Sequence, residues 1–390
     1  MHPQTHPHLI DHHCHGILRT PHPRPTFEAF LTESHAPAAA GTTFFDTQLG
    51  FAVRRVCPPL LDLDPHAPPE VYLARRHELG QDETARRLLG AAGITEYLVD
   101  TGLPGNLTTP QDLATLSGSP ATAREVVRLE SLAQKAADEA KDAQSFLATL
   151  ATTIQAAAHH AAAFKSIAAY RHGLRLDPDP PTEAETHRAA AAWLKERTHG
   201  ARLHDPTLLR HLLWSAVATG LPLQLHTGFG DPDLRLRDAD PLLLTDFIRA
   251  AAPTPLILLH GYPYHRGAGY LAHVHPHVYA DLGLALTHTG ARAEAVLAEF
   301  LELTPFGKLL FSTDAYGLPE LYVVGAQLYR EALDALLTRW VDSGAWSAAD
   351  AERVAHLIGA GNARRVYSSS GPSGSARSSA GRGADPADSR

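Results

Sequence analysis

The chain predicts an α/β fold, a closed (β/α)8 barrel with a long insertion after strand 1 and extra helices at the C-terminus. Two observations point there. Eight short apolar, often β-branched runs recur along the sequence, and long Ala-rich stretches of helical period separate them. Such alternation argues a parallel sheet, and an eightfold repeat argues closure of that sheet on itself.

The strand candidates are, in order, "HLIDHHC" (8–14), "ITEYLVD" (94–100), "REVVRLE" (124–130), "AFKSIAAY" (163–170), "LPLQLHT" (221–227), "PLILLH" (255–260), "HVYADLG" (277–283) and "KLLFSTD" (308–314). Helix candidates lie between them at 69–92, 131–162 and 205–219, and 318–366 reads as closing helices. One domain is expected over 1–367. Within it, the Pro- and Thr-rich stretch 16–68 follows strand 1 and is expected over the barrel's C-terminal mouth. The stretch 368–390, "SSSGPSGSARSSAGRGADPADSR", lacks large apolar residues and reads as a disordered tail.

Composition excludes several classes. With 390 residues, 44% hydrophobic and 19% charged, the chain can bury a large core. The net charge of −8 and the absence of a basic run speak against nucleic acid. No apolar segment reaches membrane-spanning length, and "MHPQTHPHLI" lacks the regions of a secretory signal. Two cysteines, Cys14 among histidines and Cys57 in an expected loop, make no disulfide framework and fit a reducing cytoplasm. The 25 histidines against one methionine belong to an Ala/Arg/His/Pro-rich composition, so their number proves nothing alone.

Their placement says more. Strand 1 carries Asp11, His13 and His15; strand 4 holds Lys165 and leads to Tyr170 and Arg171; strands 5, 6 and 8 end at His226, His260 and Asp314. In a barrel these carboxyl ends meet at one mouth. His13 and His15, two apart on a strand, point to one face and can bind one ion. Imidazoles with a carboxylate suit a divalent cation, zinc above all, with iron, manganese or nickel as alternatives. Such a set leaves room for a water whose pKa falls to about 7, and Asp314 can take and deliver its proton. Singly, each residue has a plainer reading: a core or surface histidine, or an aspartate capping the next helix. The joint order along four strands is what points to a metal.

"DHHCH", "LQLHTG", "LILLHGYPY", "LLFSTDAYGLPE" and "IGAGNARRVY" resemble the amidohydrolase superfamily, specifically amidohydrolase family 2. "VDTGL", "FKSIAAYRHGL" and "LLHGYPYHRGAGYLAHVHPHVYADLGL" are most similar to the amidohydrolase region of the FluG and nodulin–glutamine synthetase fusion proteins. The resemblance implies a metal-dependent barrel with His13, His15, His226 and Asp314 as ligands. His260 would be a second-metal ligand or the residue orienting the water. Lys165 has the order of a carbamylated lysine bridging two ions; the alternative is one ion and a lysine at the strand start or paired with Glu130. A functional link to a separate glutamine-synthetase-like enzyme is a further implication, and homo-oligomerisation is left open.

For the substrate, a small molecule, Arg171 offers a planar guanidinium for a carboxylate. Tyr170, Glu130, Asp100 and Tyr262 are further candidates near strand ends; each has a structural alternative. "GYPYHRGAGY" either gates the site or starts a helix, and the charges of "PEVYLARRHELGQDETARRL" read as a solvated helix face. The expected activity is hydrolysis of an amide-type C–N bond, with Asp314 as general base and acid and His260 beside it. The alternatives are nonoxidative decarboxylation of an aromatic or unsaturated acid, and a non-catalytic barrel that partners a glutamine-synthetase-like enzyme.

Overall fold

The computed structural model describes residues 8–118 and 120–368. The expected tail therefore lies, beyond Ser368, outside the described residues. Eight parallel strands follow one another in sequence order: β1 Leu9–Cys14, β2 Ile94–Asp100, β3 Thr122–Arg128, β4 Ala163–Ser166, β5 Leu223–Thr227, β6 Leu256–His260, β7 Val278–Asp281 and β8 Leu309–Leu310. The segment after β8 closes the ring against β1. His12 N donates to Phe311 O at 3.3 Å, Asp314 N to His13 O at 3.1 Å and His15 N to Ala315 O at 2.9 Å. The fold is thus a (β/α)8 barrel.

Two cores follow from strands that are apolar on both faces. The larger lies between the strands and the helical ring. The smaller fills the barrel, where Ile10, Leu98, Val126, Ile257, Leu259 and Leu310 pack with Tyr367 of the last helix, Asn362–Ser368. Burial of that ring contributes about 2–3 kcal/mol. Its hydroxyl meets His12 Nδ1 at 3.0 Å and Gln224 Nε2 at 2.9 Å, so the last helix is anchored to β1 and β5.

Several elements differ from the sequence reading. The helix expected at 69–92 is two, Pro69–Leu79 and Gln81–Ala92, because Gly80 adopts φ +79°, which a glycine takes without a steric penalty. The stretch 131–162 divides likewise into Leu129–Glu139 and Ala143–Ala158, the second started by an Asp142–Ser145 capping box. Strand 4 ends at Ser166 rather than Tyr170, and a short helical turn, Ala168–Arg171, carries Tyr170 and Arg171. Residues 261–270 mostly start helix His265–Val274.

The insertion holds helices Arg24–Ala29 and Gln48–Leu60, and Cys57 is buried inside the second rather than in a loop. The supposedly solvated face of 69–88 is solvated only in part. Glu83 pairs with Arg86 and Arg87 near the surface, whereas Arg76 is buried with its Nε 2.7 Å from Glu320 Oε1, which also accepts from Tyr72 Oη at 2.8 Å. Glu320 belongs to the long helix Pro319–Asp342, so this pairing joins the first helices to the last ones. Among the described residues no helix is long and apolar enough to cross a membrane.

Candidate metal centre

The pairing of β1 with β2 shifts register between Asp11 and Cys14. Such a bulge re-aims side chains, and here both His12 and His13 find partners on other strands. His12 Nε2 meets Asp281 Oδ2 at 2.8 Å. His13 Nδ1 lies 2.9 Å from Gln224 Oε1, and His15 Nδ1 lies 3.0 Å from the carbonyl of Asp100. A carbonyl oxygen only accepts, so each Nδ1 carries the proton and each Nε2 presents a lone pair. The orientation of the Gln224 amide is fixed in turn, since its Nε2 donates to His12 O at 2.8 Å.

Both lone pairs face Asp314. Its Oδ1 is 3.2 Å from His13 Nε2 and 3.3 Å from His15 Nε2, and its Oδ2 is 3.6 Å from His260 Nε2. His260, the last residue of β6, and Asp314 both sit at positive φ, +67° and +52°; β8 stops at Leu310 rather than at Asp314, which lies four residues beyond it. Each of the two residues is held by a buried carboxylate. Asp11 accepts from Thr313 N at 3.0 Å and Thr313 Oγ1 at 2.5 Å, and Asp281 accepts from His260 N at 2.9 Å. The His226 ring lies 4.8 Å from that of His260, centroid to centroid. Among the described residues neither ring nitrogen of His260 has a hydrogen-bond partner, nor does His226 Nε2.

A divalent cation fits this arrangement. Acceptor atoms turned on one another across 3.2–3.3 Å repel unless something positive lies between them. Two ligand atoms bound tetrahedrally to one ion, each at about 2.0–2.1 Å, stand ~3.4 Å apart. Burial and the neighbouring Lys165 push His13 down to about 3, and burial lowers His226 and His260, so the rings are neutral as ligands must be. Burial opposes ionisation of Asp314, but the surrounding imidazoles hold it well below the ordinary carboxylate range.

Lys165 lies on β4, neither far from the mouth nor paired with Glu130. Its Nζ is 2.8 Å from His13 Nε2 and 3.5 Å from Asp100 Oδ2. Asp100 is also bound by Arg128 through Nε at 3.1 Å and Nη2 at 2.5 Å. Burial pulls Lys165 below its ordinary value, partly offset by Asp100.

Above the centre opens a cavity of about 830 Å3. Residues 29, 30 and 32–35 of the insertion line it, as do His15, His226, Asp314, Tyr170 and Arg171. Tyr170 packs its ring 4.5 Å from that of His226. Glu130 has another occupation. Fully buried at the start of a helix, it accepts from Ser166 Oγ at 2.6 Å and Ile167 N at 3.0 Å, bending the chain after β4 so that Tyr170 and Arg171 reach the cavity. Tyr262 lines no part of it among the described residues; it stacks on His265 at 5.4 Å and its carbonyl receives Phe229 N.

The sequence reading did not single out Gln224, Asp281, His12 or Arg128. Gln224 stands two residues before His226 and Arg128 ends β3, so a period-2 reading of every strand end would have found both. His12 has no such signal, since its inward aim depends on the bulge.

Fold and centre together are those of a (β/α)8 barrel with a candidate metal centre at the carboxyl ends of its strands. The sequence profile of the amidohydrolase family matches residues 10–368, and the chain belongs to that family. Protein FluG of Emericella nidulans is 35% identical over 219 residues, 52% of this chain but 25% of FluG, so the chain spans about a quarter of that relative. A protein of Lactobacillus casei ATCC 334, assigned as a metal-dependent hydrolase, superposes with a TM-score of 0.80 at 27% identity, covering 93% of this chain and 95% of that one. Uronate isomerase of Thermotoga maritima, at 10% identity and a TM-score of 0.60 over 92% of this chain and 94% of its own, shares the fold.

Proposed function

We propose that this protein is a metal-dependent hydrolase that cleaves an amide-type C–N bond of a small, carboxylate-bearing substrate. The observation that carries the proposal is the convergence of His13 Nε2, His15 Nε2 and Asp314 Oδ1, all acceptors, beside a cavity that His15 and Asp314 line. His13, His15 and Asp314 would hold the ion, with His226 and His260 beside them. Their nitrogen and oxygen donors suit zinc or another first-row divalent ion. Such an ion lowers the pKa of a water and polarises a carbonyl.

The chain's own residues do the rest. Asp314 accepts the proton of the attacking water as its oxygen bonds to the substrate carbon. It passes that proton to the departing nitrogen as the C–N bond breaks, a role worth about 10²–10⁴-fold in rate. His260, with both ring nitrogens unpartnered, has a hydrogen bond to give the reacting oxygen. Arg171 orients the substrate through its carboxylate.

The test is elemental analysis of chelator-free protein combined with a substrate screen that follows amine and CO2 together. Stoichiometric metal, lost in His13→Ala/His15→Ala, and amine released from amides support the proposal. CO2 without amine would make the enzyme a decarboxylase. Absence of metal from the intact protein would remove the proposal's foundation.

A further inference from the structure

The charges of the cavity wall are not all matched within the protein. Arg128 is bound to Asp100, Lys165 to Asp100 and His13, and Arg202 to Asp233. Among the described residues neither Arg171 nor the exposed Lys135 of the same lining forms an ion pair. The Arg171 Nε is buried without a hydrogen-bond partner, and so is Nε2 of Gln134, which lines the same cavity. Burial pulls the Arg171 guanidinium below its ordinary value, opposed by Glu130. Glu130 accepts at Oε1 from Ser166 Oγ and Ile167 N, and its Oε2 is buried without a hydrogen-bond partner, so it makes no ion pair with Arg171.

The opposite imbalance holds for two carboxylates of the same lining. Asp138 is paired with Arg197, and Asp233 with Arg202. Among the described residues the ion-pair partners of Glu33 and Asp231 are imidazoles, His288 Nε2 at 3.6 Å and His35 Nε2 at 3.6 Å, and Asp231 also accepts from Asp233 N at 2.9 Å. Burial raises Asp231, as expected for a carboxylate with no permanent cation beside it. Both carboxylates lie near Tyr170 and line the same cavity as Arg171.

We infer that the cavity binds a zwitterionic amino acid amide, its carboxylate at Arg171 and Gln134, its ammonium at Glu33 and Asp231, and its amide directed to His15 and Asp314. Removing unmatched charges from water is costly unless a ligand supplies their counterions. A dicarboxylate would set one anion against Glu33 and Asp231, and a diamine would set one cation against Arg171. A zwitterion meets both sets of groups with the right sign. The inference rests on the hydrolase reading only for the position of the amide.

The experiment uses the full-length protein as purified and measures, by calorimetry, binding of L-glutamine, of glutaramate, which lacks the ammonium, and of 4-aminobutanamide, which lacks the carboxylate. L-glutamine should bind at least about tenfold more tightly than either analogue. Arg171→Met should bring L-glutamine level with 4-aminobutanamide. Glu33→Gln/Asp231→Asn should bring it level with glutaramate, and Arg171→Lys should restore part of the preference lost with Met. Metal content and melting temperature, read in parallel, show that each variant is folded. Equal binding of the three probes, no measurable binding of L-glutamine, an unchanged ranking in the variants, or release of a metal ion by the Asp231 substitution overturns the inference. A metal-free wild type would instead mark failure of the hydrolase reading.

Discussion

His13 Nε2 and Asp314 Oδ1 stand 3.2 Å apart although they belong to opposite ends of the barrel sequence, and neither has a proton for the other. The protein maintains that contact through residues that never enter the cavity. Gln224 fixes the His13 tautomer from β5, and Asp11 grips Thr313, the neighbour of Asp314.

Gln224→Leu should weaken metal binding without abolishing the site. The His13 ring would lose the acceptor that keeps its proton on Nδ1, and loss of such an outer partner typically costs about 10–100-fold in affinity. Competition against a chelator measures this. An affinity equal to wild type would show that Gln224 only packs.

One ion per chain is expected, with Lys165 remaining an amine. A carbamate there would bring a second anion beside the Asp100 carboxylate, which now lies 3.5 Å from Nζ and is shared with Arg128. Elemental analysis should therefore give a single ion in wild type and in Lys165→Met alike. Two ions in wild type, with loss on substitution, would establish the bridged alternative.

Glu320→Ala should destabilise the fold by about 3–5 kcal/mol, because it leaves the buried Arg76 guanidinium uncompensated. Glu320→Leu/Arg76→Met should recover most of that loss by removing both charges. Urea unfolding distinguishes the two. Equal stability of the single and double variants would mean that the pair itself contributes little.

Acid should expose the cap of helix Pro110–Ser117. Asp112 accepts from Thr109 N at 3.0 Å and Thr109 Oγ1 at 2.7 Å and is paired with Arg19, and these partners hold its carboxyl at about 2 against an ordinary 3.8. A depressed carboxyl stabilises the fold above its unfolded value and loses that contribution as pH falls through the folded one. The melting-temperature gap between wild type and Asp112→Ala should thus be constant above pH ~5 and shrink towards pH 2. A gap independent of pH would assign the cap's effect to uncharged contacts.

All eight strands were legible because each is a short apolar run bounded by turns, and a strand buried on both faces requires that pattern. His13, His15, His226, His260 and Asp314 were legible because they interrupt or end such runs. Boundaries were less so. Strand 4 looked longer than it is because "IAAY" is apolar, whereas hydrogen bonds from Ser166 Oγ and Ile167 N to Glu130 turn the chain there. Arg76 looked solvated because its neighbours are charged, whereas its partner Glu320 is supplied by a helix near the other end of the chain.

By itself the sequence determined the barrel, the order of its strands and the chemical character of their carboxyl ends, since periodicity and residue type are local properties. Only the tertiary structure decided which nitrogen of each histidine faces Asp314, that Lys165 meets Asp100, and that Glu130 and Tyr262 brace the chain while Arg171 and Glu33 reach the cavity. Those outcomes depend on a one-residue bulge and on hydrogen bonds between distant segments, and neither leaves a period in the chain.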